Sequence, residues 1–349
     1  MAWQEFRRGK RNKKDVQEFE FNLEDNLFQL HSELRNKTYQ HSNYTSFSIC
    51  DPKPRRIHKA IVRDRVLHHA SFRILYPIFD KSFIFDSYSC RIRKGTHRAV
   101  NRLEKFCRKL SKNKAKNIFA LKCDVRKFFD SIDQGILLEL ISKKIIDKNG
   151  MWLVSKIIRS FSAADALDFR FSAGGGPVFG GRGNDRGDYK GGMRGLPLGN
   201  VTSQLFANIY LNELDQFIKH KLKIKLYLRY CDDFVILAED EKCFSDLVFR
   251  ISKFLKNRLK LNLHPDKIII RKYRQGVDFL GYVVLPYCRV LRTMTRRRTM
   301  KKIRIRQYNF ETGLILEGLF DQSLQSYLGV LKHCSGYKIK KQIKSIIND

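Results

Sequence analysis

Apolar residues recur at Phe19, Leu23, Leu27, Leu30 and Leu34, a spacing of three to four that predicts one docked helix over 16–34. Residues 44–49 alternate in the manner of a half-buried strand, and 53–59 (Lys-Pro-Arg-Arg-Ile-His-Lys) follow as a basic β-like turn. A helix is expected over about 63–78. Residues 118–124 form a continuous apolar run closing on Asp124, the pattern of a buried strand. Ser131 stands where an N-cap would open a helix over 132–146, with Asp130 and Asp133 placed to cap or polarise its start. Helix resumes over 152–161. A long one runs from the segment 194–204 to about Lys219, and an amphipathic one covers 244–259.

The stretch 226–237 has a different character. Two apolar β-prone runs flank adjacent acids, so it predicts a hairpin with Asp232 and Asp233 at its turn. Further on, 264–267 is a turn, 268–270 a strand and 277–284 another hairpin, before a helical tail over 289–349. One segment is low in complexity. Glycines crowd 172–195, which predicts a flexible loop; no Gly-Lys-Ser/Thr follows it, so it is no phosphate loop.

Composition then narrows the class. The 349 residues are 43% apolar, enough for a packed core in two or three domains. Lysine and arginine total 69 against 35 acids, a formal charge of +34. Self-repulsion on that scale points to a polyanionic partner, nucleic acid first and an anionic membrane surface second. No apolar run approaches the roughly 18 residues of a membrane span. The basic start, residues 1–14, lacks the apolar centre of a signal peptide. Eight cysteines stand singly with no Cys-x-x-Cys, and nine histidines show no ligand spacing, so zinc is not expected and reduced thiols in a cytoplasmic setting are.

The candidate chemistry centres on the acids. Adjacent aspartates repel, and burying them unpaired costs several kcal/mol. A divalent cation removes that penalty, and a hairpin tip offering two carboxylates to Mg²⁺ suits phosphoryl transfer. Asp124, at a strand end, can meet the hairpin from a neighbouring strand. Cations at Lys53, Arg55 and Arg56 can neutralise a triphosphate. Gly195, Pro197 and Gly199 allow backbone to approach something flat, such as a base pair. The tail carries Arg296-Arg297-Arg298 and interleaved aromatics, a composition able to track a duplex backbone.

Taken in order, these motifs resemble the palm motifs of reverse transcriptases. They are Asp124 with Phe128-Phe129, Leu196-Pro197-Leu198-Gly199 with Ser203-Gln204, Tyr230-Cys231-Asp232-Asp233, Pro265-Asp266-Lys267 and Phe279-Leu280-Gly281-Tyr282. The likeness is greatest to bacterial group II intron-like enzymes, and within them to those of diversity-generating retroelements. The Gly-x-x-x-Ser-Gln form at 199–204 and a short basic helical tail, with no maturase and endonuclease extension, carry that finer resemblance. The Val-Thr-Gly of retron enzymes is absent. The glycine-rich 172–195 is longer than the family pattern.

The resemblance implies an α+β right-hand polymerase: a basic extension over 1–50, fingers and palm over 51–288 with 172–195 inserted, and a helical thumb over 289–349. It implies RNA-directed DNA synthesis with two Mg²⁺ ions, or Mn²⁺, held by Asp124, Asp232, Asp233 and the carbonyl of Val125. Lys267 would give a proton to pyrophosphate. Lys53, Arg55 and Arg56 would meet the incoming deoxynucleotide triphosphate, and Leu198, Gly199 and Asn200 the nascent pair. One of Phe128 and Phe129 packs in the core; Phe129 fits the aromatic that excludes a 2′-hydroxyl. Tyr230, Phe279, Leu280, Gly281 and Arg296 to Arg298 would hold the template RNA and cDNA primer. The same resemblance implies a small basic accessory protein, a bacterial, archaeal or phage gene, and errors biased to template adenine, since Leu198 stands where many replicative relatives place Gln. The alternatives are a group II intron or defence-associated enzyme and, in another class, a non-catalytic RNA-binding scaffold.

Overall fold

The computed structural model describes residues 1–50, 54–163, 170–171, 177–178 and 193–348. The expected roles of Lys53 and of most of the glycine-rich 172–195 lie outside those residues. The chain forms two compact units: Met1–Phe85, Val125–Lys223 and Phe249–His264 in one; Asp86–Asp124, Ile224–Val248 and Pro265–Asp349 in the other. The units interleave along the sequence.

The second unit is built on a four-stranded antiparallel sheet in the order Tyr227–Tyr230, Asp233–Ala238, Phe119–Asp124, Ile269–Lys272. Phe119–Asp124 lies inside the sheet, between Asp233–Ala238 and Ile269–Lys272, and buries Ala120, Leu121 and Cys123. The helix Thr96–Leu110 lays Ala99, Val100, Leu103, Phe106 and Cys107 into the same core, an i, i+4, i+7 stripe. A second sheet, in the order Arg289–Leu291, Tyr282–Val284, Val277–Phe279, joins this core. The tail helices Thr293–Glu311, Glu317–Leu331 and Tyr337–Asn348 contribute Ile303, Leu331, Ile339 and Ile343 to it.

The first unit is mainly helical. Trp3, Phe6, Val16 and Phe19 pack on Val62 and Val66 of the helix Val62–Asp80. The hairpin Thr45–Ile49 with Arg55–Lys59 is its only sheet longer than two residues per strand among the described residues. The same unit holds a buried polar network around Asp64, which is wholly inaccessible. Asp64 accepts from the Tyr39 hydroxyl at 2.9 Å and the Ser42 amide at 2.9 Å, and Arg63 Nε stands 3.4 Å away.

His41 and His68 extend this network. His41 Nδ1 lies 2.6 Å from the Ser42 carbonyl, so it carries the proton. His41 Nε2 then accepts from His68 Nε2 at 3.1 Å, leaving His68 Nδ1 to accept from the Thr202 hydroxyl at 3.3 Å. With both rings neutral, every polar atom in that chain has its partner. Burial pushes the His68 pKa down to about 3.

Three expectations change. The helix expected over 16–34 is two, Lys14–Phe21 and Leu23–Arg35, because the backbone leaves helical geometry at Asn22. The cap expected at Ser131 is at Asp133, whose carboxylate accepts from the Ile136 amide at 3.0 Å; Ile132 is extended, so Gln134–Ser142 is a separate helix from Phe128–Ser131. The helix opened by 194–204 runs Val201–Gln216 and widens to a π turn over Phe217–Lys221. The Asp133 capping role holds, and Lys260 Nζ adds a 2.7 Å ion pair that draws the carboxyl below its ordinary range against the penalty of burial.

Candidate active site

The hairpin Tyr227–Tyr230 and Asp233–Ala238 closes on the two-residue turn Cys231-Asp232, so Asp233 opens the second strand rather than sitting in the turn. Cys231 has φ 56°, a left-handed conformation normally left to glycine. Arg229 holds it there. This arginine is fully buried and donates through Nη1 to the Cys231 carbonyl at 2.9 Å and through Nη2 to Ser87 Oγ at 3.1 Å. Its own backbone amide bonds the Asp86 carbonyl at 2.9 Å. The turn is therefore braced from below.

The register does the rest. Asp124 is the cross-strand partner of Asp233, which puts the two Cα atoms about 5 Å apart. Asp232 lies next to both. Burial, then the charge of Asp124, raises the Asp232 pKa. Burial also pushes Asp233 up to about 6; Lys122 offsets this, while Asp232 and Asp124 add to it. Two lysines answer the acids. Lys267 Nζ is 2.7 Å from Asp124 Oδ1, and Lys122 Nζ is 3.9 Å from Asp233 Oδ1. Lys122 precedes Asp124 by two positions and so shares its face of the strand.

Among the described residues, no three such side chains already form a metal-ligand cluster. The donor chemistry nevertheless fits a hard divalent cation: three carboxylates brought to one end of a sheet, repelling one another, with Asp124 turned to a lysine that a metal would displace. Val125, which follows Asp124, is buried.

In the other unit, Leu198-Gly199-Asn200 docks against the strand carrying Arg55 and Arg56. The His58 amide donates to the Leu198 carbonyl at 2.9 Å, and Asn200 Nδ2 to the His58 carbonyl at 3.4 Å. Gly199 has φ 119°, and a Cβ there would lie 2.9 Å from Ile57 Cγ2, so the approach requires glycine. Phe128 is buried and takes the packing role, while Phe129 is half-exposed and its carbonyl accepts from the Leu196 amide at 2.8 Å.

Tyr230 is half-buried and its hydroxyl accepts from Thr96 Oγ1 at 3.3 Å. Phe279 corrects an expectation: it is entirely buried, so it anchors its hairpin rather than touching a primer. The tip is Leu280-Gly281, both at positive φ (52° and 85°), a primed two-residue turn. Arg296 and Arg297 line a groove of about 950 Å³ with Lys301 and Arg304; Arg298 is exposed two positions along the same helix. Lys122 and Arg229 were the residues missed. Each interrupts a buried apolar strand with a positive charge, and that interruption was the available signal.

An antiparallel sheet presenting an acid at one strand end beside a two-acid hairpin is the palm of an α+β right-hand polymerase. The chain belongs to the reverse transcriptase (RNA-dependent DNA polymerase) family, whose profile matches residues 49–284. It is similar to Protein YkfC of Escherichia coli (strain K12), 23% identical over 69% of this chain and 64% of that one. It is also similar to the group II intron-encoded protein LtrA of Lactococcus lactis subsp. cremoris, 24% identical over 72% of this chain and 47% of LtrA. The chain thus spans less than two-thirds of either relative. A telomerase from Candida albicans, solved in complex with a TWJ fragment of telomeric RNA, shares the fold with TM-score 0.51 at 15% identity, over 89% of this chain and 55% of that one.

Proposed function

We propose that this chain is an RNA-directed DNA polymerase that extends a primer on template RNA from deoxynucleotide triphosphates. The carrying observation is the pairing of Asp124 with Asp233, beside Asp232 on a braced turn. Asp124, Asp232 and Asp233, with the Val125 carbonyl, would hold two Mg²⁺ ions, or Mn²⁺; bound there, the metal supplies Lewis-acid stabilisation of the charge that develops on the reacting oxygens. Lys267 gives a proton to the leaving pyrophosphate, and Lys122 tempers the charge at Asp233. Arg55 and Arg56, with Lys53, neutralise triphosphate. Leu198 to Asn200 pack on the nascent pair, and the Phe129 ring excludes a 2′-hydroxyl. Leu280-Gly281 grips the primer, and Arg296 to Arg298 meet backbone phosphates without reading sequence. In linear terms 51–288 is fingers and palm, and 289–349 thumb.

Primer extension on an RNA template tests this reading. Wild-type protein should add deoxynucleotides only with a divalent metal, and Asp232→Asn should not; no product from wild type would leave an RNA-binding scaffold, and equal product from both would remove Asp232 from the chemistry.

The finer reading is an error-prone enzyme of a diversity-generating retroelement, working with a small basic accessory protein. Leu198 supports it, because an aliphatic side chain offers the incoming nucleotide no hydrogen bond. The similarity to LtrA favours a group II intron role instead. Sequencing the cDNA separates them: the retroelement reading expects errors concentrated at template adenines, and equal error rates at the four bases reject it.

A further inference from the structure

At the opposite end of the central strand from Asp124 lies a cleft that none of the roles above uses. Ile118 sits in its wall, six residues and so about 20 Å along the strand from Asp124. The cleft has a volume of about 530 Å³. Leu285 and Pro286 form an apolar wall; Lys114, Lys116 and Arg274 bring three cations; Tyr287 stands at its rim. Tyr287 is at the tip of the connection between Tyr282–Val284 and Arg289–Leu291, which the Leu285 amide closes on the Cys288 carbonyl at 2.9 Å. The residue is 83% exposed.

The cations are held ready. Lys112, Asn113 and Lys114 all have positive φ (46°, 54° and 81°), yet this tight turn is bonded internally: Asn113 N to Arg108 O at 2.9 Å, Lys114 N to Ser111 Oγ at 2.9 Å and Lys116 N to Ser111 O at 2.9 Å. Lys114 Nζ lies 4.3 Å from the Tyr287 ring centroid. It therefore covers one face of the ring and leaves the other for a planar group. Among the described residues, the acid paired into the cluster is Glu239, 3.4 Å from Lys116 across an exposed ion pair of small worth that a phosphate can replace.

We propose that this cleft is a second nucleic-acid site, taking single-stranded RNA with one base stacked on Tyr287 and the adjoining phosphates on Lys114, Lys116 and Arg274. An exposed aromatic among cations is how single strands are held without sequence reading. The inference rests on the chain handling RNA, as proposed above, but not on its catalysing anything.

The test compares two substrates: an RNA–DNA hybrid with blunt ends, and the same hybrid carrying a single-stranded RNA tail of some 15 nucleotides. Tyr287→Ala should weaken binding of the tailed substrate about tenfold. Lys114→Gln, Lys116→Gln and Arg274→Gln together should lower the slope of log affinity against log salt by about 2. Neither change should alter blunt-hybrid binding or extension, Tyr287→Phe should bind as wild type, and 4-thiouridine in the tail should crosslink to residue 287. Unchanged tail binding in both variants overturns the proposal, as does an equal loss on both substrates. A DNA tail bound as well as the RNA one overturns the assignment of the site to RNA. Should wild type bind the tail yet extend nothing, the polymerase reading fails while this site stands.

Discussion

Asp64 and the set Asp124, Asp232 and Asp233 are acids withdrawn from water in the same chain, and they are treated oppositely. Asp64 is given donors from Tyr39, Ser42 and Arg63 and is wholly buried. The three acids of the palm are set against one another, Asp124 buried and Asp232 and Asp233 half-exposed, with lysines at Asp124 and Asp233. A carboxylate that serves the fold has its charge answered by the protein. Carboxylates left to repel one another at a strand end are waiting for a charge the protein does not supply.

The sharpest break of this comparison is Asp232→Asn. It should abolish extension, by about a thousandfold or more, since several kcal/mol of charge stabilisation goes with the ligand. The melting temperature should hold or rise, because a like-charge contact is removed. A fall in melting temperature matching the activity loss would show that Asp232 serves the fold after all. Asp64→Ala should do the reverse: stability falls by about 3–5 kcal/mol as buried donors lose their acceptor, while activity per folded molecule changes little. Denaturant titration alongside active-site counting reads both.

A smaller effect comes from His68 beside Asp64. Its folded pKa, about 3, lies below the unfolded value of 6.5, so the fold favours the neutral ring. Its stabilising contribution is present above pH 6.5 and is lost as pH falls towards 3. Melting curves at pH 7.5 and 5.5 should show a drop that His68→Asn reduces; an identical drop in the variant removes His68 as its source. Smallest is Lys122→Met. An ion pair at 3.9 Å is worth about 1 kcal/mol. Its loss should tighten Mn²⁺ binding to the apo protein at pH 8 by about fivefold, read by water-proton relaxation, and unaltered binding would detach Lys122 from the site.

Much of this was legible in advance. The acid at the end of 118–124 and the hairpins 226–237 and 277–284 appear where their patterns place them, with the turn of the first one residue earlier than expected, because strand period and turn chemistry are local. Phe279 was misread because an aromatic in a hairpin looks the same whether it faces a ligand or the core. The Asn22 break escaped notice since the apolar spacing continues across it with only a small change of phase. Lys122 and Arg229 looked like ordinary charges in strands; which neighbour each reaches depends on cross-strand register and on Ser87 and Asp86, more than a hundred residues away.

The order of the acids, the excess of positive charge and the alternation of helix and strand were determined by the sequence itself, since each follows from residue type and local spacing. Only the tertiary structure decided that Asp124 faces Asp233, that Arg229 braces Cys231 from beneath, and that Tyr287 meets Lys114. Those are pairings between distant segments, fixed by how strands align and cores close, and no local preference encodes them.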